Sequence, residues 1–275
     1  MAKTAARTAA RLDDDLALAH VLADTADSIA MARFRALDLY VESKPDLSPV
    51  SDADTAVEKA LRSTLARTRP RDGVLGEEFG VTGANSTRQW VIDPIDGTKN
   101  FIRGVPIWGT LISLMEGDTP VVGLASAPAL GRRWWAGRGV GAFAGRHQAN
   151  AVPIKVSGVR RLADASFCYS SLDGWEQTGR LSSVLDLMRK TWRSRAYGDF
   201  YGYMLLAEGA VDIMVEPELM VWDMAALVPI VTEAGGTFSD LSGRPGVGGG
   251  SAVATNGQLH TDVLERLTPS GLHAL

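Results

Sequence analysis

Apolar residues recur at helical spacing from Leu12 to Phe34, at Leu12, Leu16, Ala19, Ala23, Ala26, Ala30 and Phe34. The spacing predicts an amphipathic helix, with Asp13, Asp14 and Asp15 in the first turn, where the helix dipole favours acids. Pro45, Pro49 and several Ser and Asp make Tyr40 to Asp54 read as a loop. Val57, Leu61 and Leu65 then mark the buried face of a helix from about Ala53 to Arg69, capped by Ser51 or Asp52. Gly73 to Gly76 reads as a short strand followed by Glu77 and Glu78, which a continued strand would turn to opposite faces, Glu77 towards a site. Trp90, Val91 and Ile92 end a buried strand. Gly109 to Glu116, Val121 to Ala127, Arg132 to Ala136, Ala142 to Ala144 and Val152 to Val156 continue as an antiparallel series, with Trp134 and Trp135 as core and rim.

Beyond Val156 the pattern alternates. Strands are expected at Ala165 to Ser170, Arg193 to Tyr197, Val211 to Glu216, Thr237 to Leu241 and Ser251 to Thr255. Helices are expected at Leu181 to Lys190, Gly198 to Glu208, Trp222 to Ala234 (closed by Gly235 and Gly236) and Thr261 to Leu267. No repeat or linker divides the chain. Interspersed strands and helices with a hairpin-rich middle predict a mixed α/β sandwich of layered sheets and helices, not a doubly wound parallel sheet. Residues 12–268 read as one domain with two lobes, between a flexible tail at 1–11 and a C-terminal tail at 269–275.

Composition narrows the function classes. The chain is 45% hydrophobic over 275 residues, enough for a large core. A net charge of −4 argues against a dedicated nucleic-acid binder. No apolar run approaches membrane-spanning length, and the Ala-rich start lacks the apolar stretch of a secretory signal. With no secretory route, the glycosylation sequon at Asn85 to Thr87 is read as chance. One cysteine, Cys168, forbids an internal disulfide and suits a reducing cytoplasm. Gly174 stands where a cysteine-dependent phosphatase needs arginine, so Cys168 reads as a core residue. Gly139 to Ala144 formally fits a dinucleotide fingerprint, but no helix pattern follows it and a hairpin turn is the reading.

The candidate chemistry is carboxylate chemistry. Asp93 and Asp96 flank Pro94 and Ile95 at the strand end, and Gly97 and Thr98 follow where a turn presents amides and a hydroxyl to phosphate oxygens. Glu77 precedes this stretch, and Asp223 starts a later helix, where an acid reads either as a cap or as a ligand. Asp52 carries the same two readings, capping being the commoner. The histidines lie in no ligand spacing. Oxygen ligands alone imply Mg²⁺, Mn²⁺ or Ca²⁺ rather than zinc, and clustered acids need cations to stay ionised. Such a cluster suits phosphoryl transfer to water.

Glu77-Glu78, the run Asp93 to Phe101, and Trp222-Asp223 followed by Glu233-Ala-Gly-Gly236 together resemble the signatures of the inositol monophosphatase family, in order and spacing, over about Leu12 to Leu267. The resemblance implies an αβαβα five-layer sandwich that hydrolyses phosphate monoesters with two or three Mg²⁺ ions, Mn²⁺ being a substitute. It implies Glu77, Asp93 and the Ile95 carbonyl at one ion, and Asp93, Asp96 and Asp223 at another. Asp52 with Glu77 would hold a third. Thr98 with Glu77 would orient a water that attacks directly, without a phospho-enzyme. Lys44 matches a basic loop residue near the phosphate, and Arg195 a position that shapes the substrate pocket. Relatives are commonly homodimers.

Within the family, the stretches Lys44 to Asp54, Arg195 to Phe200 and Gly250 to Gly257 are similar to the actinobacterial branch that hydrolyses L-histidinol phosphate in histidine biosynthesis. Gly198-Asp199-Phe200 stands where inositol phosphatases carry Gly-Ser or Gly-Thr before Ala-Ala. Extra acids favour a leaving alcohol that carries an ammonium, which makes Asp199 and Glu216 the candidate contacts. The alternatives are another small phosphate monoester (inositol 1-phosphate, a sugar bisphosphate, a 3′-phosphoadenosine nucleotide) or a non-catalytic, metal-stabilised regulator. The intact Thr98 and carboxylates argue against the regulator.

Overall fold

The computed structural model describes residues 2–268. A long helix α1 (Ala2–Arg33) leads into a small hairpin of β1 (Val41–Ser43) and β2 (Pro49–Ser51), then α2 (Asp52–Thr68). The strands β3 (Gly73–Gly76), β4 (Gly80–Thr82), β5 (Arg88–Asp96), β6 (Gly109–Glu116), β7 (Thr119–Ala127), β8 (Arg132–Gly137), β9 (Gly141–Gly145) and β10 (Val152–Pro153) follow, with the short α3 (Thr98–Arg103) after β5. They form one eight-stranded sheet in the order β10-β9-β8-β7-β6-β5-β3-β4. The second half supplies β11 (Ser166–Tyr169), α4 (Leu181–Lys190), β12 (Arg193–Arg195), α5 (Asp199–Ala207), β13 (Ile213–Glu216), α6 (Val221–Ala225), α7 (Leu227–Glu233), β14 (Thr237–Ser239), β15 (Ala252–Thr255) and α8 (His260–Leu267). Its five strands run β12-β11-β13-β15-β14.

Side-chain alternation on the strands stacks these elements into layers. Trp90, Ile92 and Leu114 face Leu22, Ala23, Val57 and Leu61 of α1 and α2. Val91 and Leu111 turn to the other face and meet Tyr203, Met204, Leu227 and Ile230 of α5 and α7. Those helices bury their far side on Met214 and Ala254 of the smaller sheet. Ile213, Val215 and Val253 point outward onto Val184 and Leu187 of α4 and Val263 and Leu267 of α8. The order helix, sheet, helix, sheet, helix is the αβαβα sandwich. Each large apolar side chain buried in it contributes about 2–3 kcal/mol.

Several local expectations change. Alanine is the strongest helix former, and α1 starts at Ala2, taking in most of the expected N-terminal tail. Met1 and the C-terminal tail at 269–275 lie outside the described residues. The expected loop around Lys44 pairs as a hairpin, Val41 with Ser51 and Ser43 with Pro49. Trp134 and Trp135 are both buried. The helix expected at Trp222 to Ala234 breaks between α6 and α7. Pro229 has no N–H for the Ala225 carbonyl, which instead accepts from Ser113 Oγ at 2.8 Å. That break packs on β7, where a Cβ at Gly123 would lie 2.1 Å from the Ala226 carbonyl. Glycine at 123 thereby lets α6 approach the sheet.

Candidate active site

Asp93 and Asp96 are three residues apart, so a regular strand would turn them to opposite faces. The register of β5 against β6 shifts between them: Asp93 pairs with Leu111, and Asp96 with Gly109. Such an irregularity re-aims side chains. Asp93, Asp96 and Asp223 thereby bring carboxylate oxygens within 4.8 Å of one another. Asp223 comes from the first turn of α6, where its Oδ2 accepts the Met220 N–H at 2.7 Å. Asp96 Oδ2 accepts the Phe200 N–H at 2.7 Å, at the N-terminal turn of α5.

Electrostatics fit this cluster to a cation. Burial, then Glu77, Asp96 and Asp223, push the Asp93 carboxyl well above its usual range. Burial, then Asp199 and Asp223, do the same to Asp96. Burial, against the pull of the Met220 N–H and aided by Glu77 and Asp199, lifts Asp223 to about 7. Asp93 Oδ1 is buried with no hydrogen-bond partner among the described residues. Buried polar atoms are nearly always satisfied. An all-oxygen set with an unpartnered buried oxygen suits a hard divalent ion.

Glu77 and Glu78 sit in the turn between β3 and β4 rather than on a strand, so both reach the same cation. Lys44 Nζ on the β1–β2 hairpin lies 2.6 Å from Glu77 Oε1 and 2.7 Å from Glu78 Oε1. Burial works against the Lys44 charge, but the hydrogen bonds and charges of Glu77 and Glu78 together raise its pKa. Burial lifts Glu78 to about 7, against the pull of Lys44. The turn rests on the fully buried Glu58, whose carboxylate accepts the Glu78 N–H at 2.8 Å and the Phe79 N–H at 3.2 Å.

Thr98 opens α3 after Gly97, which holds a φ of 83°. Its hydroxyl donates to the Ile95 carbonyl at 3.0 Å and lies 3.4 Å from Asp54 Oδ1. Asp52 is elsewhere: the Arg33 guanidinium holds its two oxygens at 3.3 and 2.7 Å. Ser51, not Asp52, is the N-cap of α2, and Asp54 closes a capping box with it. The capping reading open for Asp52 falls to Ser51 with Asp54, and it is Asp54, not Asp52, that faces Thr98. A Ser-x-x-Asp spacing was the signal for it.

Glu216 and Asp199 line a cavity of about 170 Å³ with Asp96, Asp223, Phe200 and Tyr203. Burial lifts Glu216 to about 7, against the pull of the Ser170 and Tyr203 hydroxyls. The Tyr203 hydroxyl donates at 2.7 Å. Ser170 and Tyr203 carried no sequence signal of their own. Arg195 is not brought to this cavity. It ends the edge strand β12, exposed, with its guanidinium on the Ser194 carbonyl at 2.7 Å.

Comparison with known proteins agrees with this geometry. The sequence profile of the inositol monophosphatase family matches residues 12–270. A histidinol-phosphatase of Streptomyces coelicolor is 63% identical over 255 residues, covering 91% of this chain and 96% of that protein. A histidinol-phosphatase of Mycobacterium tuberculosis is 57% identical over 254 residues, covering 92% and 98%. The solved structure of an inositol monophosphatase from Zymomonas mobilis is 35% identical with a TM-score of 0.82, covering 93% of this chain and 98% of that one. The chain therefore belongs to the inositol monophosphatase family.

Proposed function

We propose that the protein is a Mg²⁺-dependent phosphate monoester hydrolase that converts L-histidinol phosphate and water to L-histidinol and phosphate. The observation that carries the reading is the cavity itself: four carboxylates, Asp96, Asp199, Glu216 and Asp223, line one small space. Asp96 and Asp223 belong with Asp93 to the cation cluster. Asp199 and Glu216 remain for a cationic group on the leaving alcohol. That much negative charge favours a cationic leaving group over a neutral polyol, whose hydroxyls could still donate to Glu216. The similarity to two named histidinol-phosphatases supports the same substrate.

Glu77, Asp93, the Ile95 carbonyl, Asp96 and Asp223 would hold two Mg²⁺ ions, and a third or a Mn²⁺ substitute is compatible with the same oxygens. When bound, the ions supply Lewis-acid stabilisation of the phosphate and leaving oxygens and ease deprotonation of a water. The protein's own groups do the rest. Thr98 directs its proton away, to the Ile95 carbonyl, and offers its lone pairs to the attacking water. Glu77 takes a proton from that water, and Asp54, 3.4 Å from the Thr98 hydroxyl, is the second acceptor within reach of its proton. The amides of Gly97 and its neighbours, with Lys44, would hold the phosphate oxygens. Attack is direct, with no phospho-enzyme. We place the enzyme in the cytoplasm as a homodimer, with the exposed Trp192 beside edge strand β12 as part of the subunit contact.

A substrate panel tests the reading. L-histidinol phosphate should exceed inositol 1-phosphate and glycerol phosphate in kcat/KM. Preference for inositol 1-phosphate, as for a family member of the Zymomonas type, would replace it.

A further inference from the structure

Asn100 stands on α3 two residues after Thr98 and has no part in the hydrolysis described above. Its Nδ2 donates to Asp199 Oδ2 at 3.0 Å and to the Ile107 carbonyl at 2.8 Å. Gly97 completes the seat. A Cβ there would lie 3.1 Å from Asp199 Oδ2 and 3.2 Å from the Ile107 carbonyl. The carboxylate of Asp199 thus rests against a bare Cα and an amide.

Asp199 needs holding for two reasons. Its φ is 47°, in the left-handed region that L side chains rarely adopt, and such a conformation persists only where surroundings over-determine it. Its N–H donates to Ser170 Oγ at 2.9 Å, which fixes the backbone. Its side chain also shares a cavity with Asp96, Glu216 and Asp223, whose like charge drives it outward. A cationic partner would hold it there but would cancel its charge. An amide donates a hydrogen bond and adds no charge, so the negative potential survives. Lys99 acts on Asp199 only through space, with no hydrogen bond to it among the described residues. Asp199 Oδ1 likewise has no hydrogen bond among the described residues.

We propose that Asn100 is a specificity-positioning residue: it ties one oxygen of Asp199 and leaves the other for the cationic group of the leaving alcohol. The inference rests on the reading of the substrate given above, and its test separates the two.

The enzyme and its Asn100→Ala, Asp199→Asn and double variants are assayed with Mg²⁺ on L-histidinol phosphate and on p-nitrophenyl phosphate, whose leaving group carries no cation. A lost hydrogen bond to a charged group predicts that Asn100→Ala loses about tenfold or more in kcat/KM on L-histidinol phosphate, mainly through KM. On p-nitrophenyl phosphate the same variant should lose less than about threefold, because nothing in that substrate uses Asp199. In the Asp199→Asn background, removing Asn100 should cost nothing further. Equal losses on both substrates, no loss on either, or additive losses in the double variant would overturn the inference. A crystal structure of Asn100→Ala gives a readout independent of substrate. The Asp199 carboxylate should leave its place against Gly97, and the inference fails if it stays. If the unaltered enzyme shows no preference for L-histidinol phosphate, the substrate reading fails, and the position of Asp199 in that structure decides the role of Asn100.

Discussion

Asp54 faces Thr98 across 3.4 Å with one carboxylate oxygen, while its other oxygen accepts the Ser51 N–H at 2.8 Å and the Ser51 hydroxyl at 2.5 Å. The side chain that anchors the start of α2 thus also faces Thr98. Asp54→Asn should lower kcat by about 10²-fold, the scale of losing a group that acts on a proton transfer. Asp52→Asn, remote on Arg33, should change kcat by less than about twofold and cost about 1 kcal/mol or less of stability. Steady-state kinetics on the two variants check this.

Asp93 is the most enclosed member of the acid cluster and should be the least replaceable. Asp93→Asn is expected to cost at least about 10²-fold in kcat, because charge stabilisation in the transition state is lost. The variant should stay folded by circular dichroism, since an uncompensated buried charge is removed. Its melting temperature should no longer rise on adding Mg²⁺. An Asp93→Asn enzyme with unaltered turnover would contradict the metal assignment.

Gly76 ends β3 directly beneath the Glu77 turn, where a Cβ would lie 2.0 Å from Glu58 Oε1. Glu58 also receives Arg62 Nε at 2.7 Å, so it has no free place to move. Gly76→Ala should destabilise the fold by about 3 kcal/mol or more, as overpacking and a displaced buried acid add. Denaturant unfolding measures this. A variant of unchanged midpoint would show that Glu58 is not confined.

Removing Mg²⁺ should make stability depend on pH in a stated direction. Glu78, Glu216 and Asp223 are lifted to about 7 in the folded protein, above ordinary carboxyl values of about 4. In that window the folded state binds protons that the unfolded state has lost, so stability falls as pH rises. Asp93 and Asp96, also raised, act in the same sense. His20, lowered to about 4, acts in the opposite sense but only below its ordinary value of 6.5. The Mg²⁺-free protein should therefore melt lower at pH 8 than at pH 6.5, and Mg²⁺ should narrow the gap as cations replace protons. A higher melting temperature at pH 8 without Mg²⁺ would contradict these assignments.

What could be read from the sequence was local. Trp90 to Thr98 declares a strand end, a rigid turn and two acids within nine residues. The errors arose where distant segments decide. Asp52 is a cap candidate until Arg33 claims it from 19 residues away. Glu77 and Glu78 read as strand neighbours until Glu58 draws their backbone into a turn. Arg195 follows a family pattern, yet its edge strand turns it to solvent. Pro229 signals the split between α6 and α7, although small apolar residues on both sides keep helical spacing across it. Asn100 lies inside the most recognisable stretch, but its partner Asp199 is 99 residues later, and no local pattern pairs them.

Acids on β5, α6 and the Glu77 turn would hold Mg²⁺ for hydrolysis of a cationic alcohol's phosphate. Phosphate release from L-histidinol phosphate, followed as Mg²⁺ is titrated into chelator-treated enzyme and compared with myo-inositol 1-phosphate, tests it most directly. No release is expected without Mg²⁺, saturable release with it, and a clear preference for L-histidinol phosphate. Release that persists without any divalent cation, or a preference for myo-inositol 1-phosphate, would contradict it.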